Sequence, residues 1–168
     1  MEKGRISAWS WPLAAFVAVA CVGYAARQAI GRIYSSGEAI NLLEALAQSG
    51  LYLGSGSATA SATILALMLT LIGMVRRADH DFDMEVYRNI DRIAKLATVS
   101  LMVSLILLLV LVFPVGEFDD LPSYWYPNLY EALFALTVAV VALLAATVAM
   151  LYRTLRHVIA SITPGDEI

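Results

Sequence analysis

Charge is scarce in this chain, and where it occurs it is confined. Only 15% of the 168 residues are Asp, Glu, Lys or Arg, and the stretches 6–26, 45–75, 96–116 and 132–152 contain none of them. A soluble four-helix bundle is excluded by that distribution, because its helices need polar outer faces repeating every 3.6 residues. The run LMVSLILLLVLVFPV at 101–115 has no polar face at all. Cysteine is nearly absent: Cys21 stands alone, so no disulfide forms within one chain, and with only two histidines there is no Cys/His metal spacing. The net charge of −3 comes without a long basic run, which gives no support to nucleic acid as a partner, and none is expected. Ser/His/Asp, Cys/His and HExxH sets and phosphate loops are all missing, and Gly54-Ser55-Gly56 alone is no nucleotide site. The expectation is a protein that is not an enzyme and that carries no cofactor and no metal.

What is present is apolar length. Hydrophobic residues make up 60% of the chain, and each charge-free stretch reaches the roughly 20 residues that a helix needs to cross about 30 Å of hydrocarbon. The sequence therefore predicts an all-α polytopic membrane protein, a four-transmembrane-helix bundle forming a single domain over 1–168, with membrane lipid as its surroundings. Spans are expected at about 11–30, 55–75, 96–114 and 130–152. Residues 18–25 faintly resemble signal-cleavage patterns, but the first stretch reads better as a retained span or signal anchor. Pro12 is placed in the first turn of that span, where its missing donor costs little. The stretch 45–75 would measure about 46 Å as one helix. An interruption is expected at 48–50 or 54–56, separating an amphipathic interfacial helix over 37–48 on the outer side from the second span. A cytoplasmic helix over about 80–95 is expected to continue into the third span.

Basic residues orient the bundle, since Lys and Arg of short connections stay on the cytoplasmic side. With the N-terminus inside, Lys3, Arg5, Arg76, Arg77, Arg88, Arg92, Lys95, Arg153 and Arg156 are inside, and only Arg27 and Arg32 are outside. Both termini are thus placed in the cytoplasm and the protein in the cell inner (plasma) membrane, a plan that resembles many small bacterial four-span proteins. Glu117, Asp119 and Asp120 then fall outside beside Tyr124, Trp125, Tyr126 and Tyr130, which suit an outer aromatic belt.

Ser55, Thr59, Thr63 and Thr70 fall within about 80° of one another on a helical wheel. Such a hydroxyl face either lines a pore at an oligomer axis or bonds its own helix and packs on a neighbour. Beside it, Gly54, Ala58 and Ala62 form a ridge of small residues that lets another backbone approach closely. Glu131, next to Asn128 and Tyr130, either selects cations at the outer mouth or caps its own helix, with Arg27 or Arg32 as partner. Asp79, His80, Asp81, Asp83 and Glu85 alternate like a calcium loop, but Met84 and Ile90 stand where such a loop needs glycine and a bidentate acid, so they read as a helix start. The functional expectation is a homo-oligomeric channel or permeation protein for small ions. The alternative is a non-catalytic accessory or scaffold subunit of a membrane complex, with a protein partner at the cytoplasmic helix.

Overall fold

The computed structural model describes residues 3–30, 36–77, 84–112 and 125–162, with side chains described over 10–29, 41–73, 87–112 and 125–156. Every element among them is helical: α1 (Lys3–Ile30), α2 (Ser36–Arg77), α3 (Met84–Val112) and α4 (Trp125–Ile162). Each contains a stretch long and apolar enough to cross a membrane, namely Ser10–Ala29, Asn41–Gly73, Tyr87–Val112 and Trp125–Arg156. The chain is a multi-pass membrane protein, and its large exposed apolar side chains, from Trp11 on α1 to Leu155 on α4, are what contact with lipid requires.

Two features of the backbone depart from the sequence expectations. α2 runs unbroken for 42 residues, about 63 Å, through both glycine clusters where an interruption is expected. Glycine costs a helix only about 1 kcal/mol relative to alanine, whereas unwinding inside hydrocarbon strands several backbone groups with no water to take them. The segment 37–48 is accordingly the first part of α2 and not a separate element. α1 begins at Lys3, so Pro12 lies nine residues inside the helix and not in its first turn. Proline there leaves the carbonyl of Ala8 without its usual intrahelical donor. The ring of Pro12 is fully buried.

α2, α3 and α4 all pack on one another, whereas α1 packs substantially on α4 alone. The α2–α3 pair is antiparallel, with Gly50 facing Leu111, Gly54 facing Leu108, and Ser61 bonded to Ser100. Its buried positions follow spacings of three, four or seven residues: Leu43, Gly50, Gly54, Ser57, Ser61, Ile64 and Met68 on α2, and Ile90, Ile93, Ala97, Ser100, Ser104, Leu107 and Leu111 on α3. That repeat is the one that keeps two long helices in contact along a single seam. Apolar clusters fill the two ends of the three-helix unit. Leu43, Leu107, Leu111, Tyr126, Tyr130 and Leu133 close the end where α4 begins. Ile64, Met68, Ile90, Ile93, Ala97 and Met150 close the other.

Candidate functional site

Between these clusters the three helices meet through small and hydroxylated side chains. Ser57 and Ser61 of α2, Ser100 and Ser104 of α3, and Ala142, Ala146 and Thr147 of α4 are all buried. Ser100 stands at the middle of the apolar stretch of α3, and Ser57 at the middle of that of α2. Polar groups so far from water need partners close by, and they have them. The Ser61 hydroxyl donates to Ser100 Oγ at 3.0 Å, Ser104 donates to the carbonyl of Ser100 at 2.8 Å, and Thr147 donates to the carbonyl of Leu143 at 2.8 Å. No buried side-chain nitrogen or oxygen among the described residues lacks a partner. This seam escapes the sequence expectations because apolar moments do not mark it. Small residues at 50, 54, 57 and 61 repeat by three and four, but so do the exposed ones at 55, 59, 62 and 66, and the sequence does not tell the two stripes apart.

The hydroxyl face singled out in the sequence lies on the other side of the same helix. Ser55, Thr59, Thr63 and Thr70 are all exposed. Thr59 donates to the carbonyl of Ser55 at 2.9 Å, Thr63 to that of Thr59 at 2.8 Å, and Thr70 to that of Ala66 at 3.0 Å. Each threonine hydroxyl has thereby used its proton on its own helix and still presents oxygen lone pairs outward. Exposed between Leu53 and Leu67 are Ser55, Gly56, Thr59, Ala62, Thr63 and Ala66, with no large side chain among them. Tyr52 and Leu53 stand at one end of this shallow saddle, and Leu67 and Leu69 at the other, all exposed. A Cβ added at Gly56 would meet nothing within 4 Å. The residues of the expected ridge diverge: Gly54 is buried against Leu108, Ala58 is half-buried, and Ala62 is exposed within the saddle.

The remaining site candidates gather at the start of α4. Glu131 is ion-paired with the Arg27 guanidinium of α1, which joins the last turn of α1 to the second turn of α4. Asn128 is exposed one turn away, and Tyr130 is buried beneath, stacked on Phe134 with ring centroids 6.0 Å apart. On α3, Lys95 pairs with Asp91 at 2.7 Å, and Arg92 donates to Asn89 Oδ1 at 3.5 Å. Arg32, Asp79, His80, Asp81 and Asp83 lie outside the described residues, as do the side chains of Glu85 and His157. Among the described residues no three His, Cys, Asp or Glu converge as a metal site would require. No family model, curated protein or solved structure matches this chain.

Proposed function

We propose that this protein acts as a homo-oligomer in the cell inner membrane, with both termini in the cytoplasm. Copies associate through the exposed saddle of α2, and the Ser55, Thr59 and Thr63 oxygens line a narrow path for small ions at the shared axis. The observation that carries this reading is a contrast between two exposed faces at the same membrane depth. From Val99 to Val112, α3 shows lipid Val99, Met102, Leu105, Ile106, Leu109 and Val112. Over α2 residues 54–66, which face α3 from about Leu108 inward, the exposed residues are only Ser55, Gly56, Thr59, Ala62, Thr63 and Ala66, with Leu51, Tyr52 and Leu53 exposed just beyond. Lipid contact selects for bulk, while close approach of a second helix selects for small side chains. Outward lone pairs are also what a partly dehydrated cation needs from a pore wall. The nine-to-two split of basic residues supports the orientation, which puts Glu131 and Asn128 at the outer mouth.

The test is the mass of the complex extracted from native membranes with its lipids, together with thiol chemistry in a C21A background. T59C and T63C are expected to react with a membrane-impermeant, hydrophilic thiol reagent, while M102C on the lipid face stays protected. Monomer alone, or protection at both threonine positions, defeats the permeation reading.

A second reading has its own support. Because the exposed threonine hydroxyls are already bonded to their own backbone, the saddle is also suited to dry packing against the helix of a different protein. The chain is then an accessory or scaffold subunit, with the basic stretch around Arg88, Arg92 and Lys95 meeting a partner at the inner surface. Recovery of a fixed heteromeric complex with Thr59 and Thr63 protected supports this alternative.

A further inference from the structure

We infer that α1 is a separately docked helix held by a clasp, and that the Arg27–Glu131 ion pair is the clasp. Three observations converge on it. First, α1 packs substantially on α4 alone, while α2, α3 and α4 each pack on two others or more. Second, among the described side chains of α1 only Pro12 and Gly23 are buried, and Trp11, Leu13, Val17, Val22 and Tyr24 all point away from the bundle. In lipid the hydrophobic effect does not press helix onto helix, so association rests on van der Waals contact and polar bonds. α1 draws the first from α4 alone. Third, α1 is tied to α4 by a charge pair at the end of its apolar stretch, with the Arg27 side chain 28% exposed and Glu131 53% exposed.

Position decides how much such a pair contributes. In open water an exposed pair is worth well under about 1 kcal/mol. Beside hydrocarbon, an unpaired guanidinium or carboxylate has to find water or another partner, which makes the paired, docked state the favoured one. Removing one charge therefore acts on the position of α1 and leaves the three-helix unit intact, because that unit is knit by its own seam and end clusters. Gly23 adds steric selectivity to the docked state: its hydrogen faces Val138 where a Cβ would sit 2.5 Å from Cγ1. Release of α1 would uncover that face of α4 to lipid or to another helix, so the clasp gives the protein a way to change its surface within the membrane without unfolding.

The test uses the full chain in lipid nanodiscs, diluted with unlabelled copies, and measures spin-label distances. One label sits on the native Cys21, exposed on α1, and the other on V148C, exposed on α4. A second pair, T63C with M102C in a C21A background, reports on the α2–α3 core. The parent is expected to give one narrow distance for each pair. E131Q and R27Q are expected to add a second, longer population to the α1–α4 pair and to leave the α2–α3 pair unchanged. The charge swap R27E/E131R is expected to restore the single narrow distance. The inference is overturned if E131Q leaves the α1–α4 distribution as in the parent, if the swap fails to narrow it, or if the core pair broadens as much as the α1–α4 pair.

Discussion

Ser61 of α2 gives its hydroxyl proton to Ser100 of α3 across 3.0 Å, with neither side chain reaching the surface. Deep in an apolar seam this bond is both an adhesive and a register mark, since a slip of one residue would leave two buried oxygens without each other. Interhelical bonds of this kind contribute about 0.6 kcal/mol on average, so S61A is expected to weaken the α2–α3 pairing by about that amount. S61L faces a different obstacle, because the position is fully buried and a larger side chain forces the helices apart at a cost of about 1–3 kcal/mol. Unfolding measured by steric trapping in bicelles separates the two. Equal losses for S61A and S61L would show that the seam is not closely packed.

Gly23 of α1 and Val138 of α4 are expected to behave as a coupled pair. A Cβ at position 23 would meet both methyl carbons of Val138, at 2.5 and 2.6 Å, and its Cβ at 3.2 Å, so no rotation of the valine clears the space. G23A is expected to destabilise the docking of α1, and V138A to restore it. Residues in contact show interaction energies of about 0.5–3 kcal/mol in a double-mutant cycle. A cycle that closes additively, read by the α1–α4 spin-label distance, counts against the close approach.

Two ion pairs among the described residues are expected to differ in weight. Lys95 and Asp91 are four residues apart on one helix and largely exposed, at 74% and 58%. A pair like this stabilises its helix by about 0.3–0.5 kcal/mol, so K95A is expected to shift unfolding by no more than that, less at high salt. Arg27 and Glu131 join two different helices. R27Q is therefore expected to loosen α1 visibly in hydrogen exchange of residues 10–29, while K95A leaves that segment as it was.

How much of this was legible in the sequence follows from what hydrocarbon does to patterns. The four spans stood out because 6–26, 45–75, 96–116 and 132–152 carry no charge, and a membrane makes that absence unambiguous. Faces are another matter. α2 carries two hydroxyl stripes, Ser57 and Ser61 turned to α3, and Ser55, Thr59 and Thr63 turned outward. In water one would be core and the other surface, with apolar residues to mark the difference. In lipid both sides are apolar, and spacing does not separate the stripes either, since the small residues at 55, 59, 62 and 66 repeat by three and four as those at 50, 54, 57 and 61 do. The unbroken run of α2 was hidden for a related reason, since glycine is judged a helix breaker by its behaviour in water, where freed backbone groups are solvated. The pairing of α1 with α4 rests on contacts between residues more than a hundred positions apart, and no local pattern announces it.

Gly56 offers the cleanest separation of fold from assembly. Within one copy its position is open, with no atom within 4 Å of where a Cβ would stand, and a larger residue there also favours the helix by up to about 1 kcal/mol. G56L is thus expected to leave the thermal unfolding of the single copy unchanged or slightly raised. In an oligomer joined through the saddle, the same leucine would stand between two backbones that require small side chains, so the mass of the native complex is expected to fall to that of one chain. G54L is the contrasting variant, because a Cβ there already lies 3.0 Å from Leu108 Cδ2, and it is expected to lower the stability of the single copy. A G56L complex of parental mass would place the contact between copies elsewhere, and with it the ion path, since Ser55, Thr59 and Thr63 line an axis only if the saddle faces one.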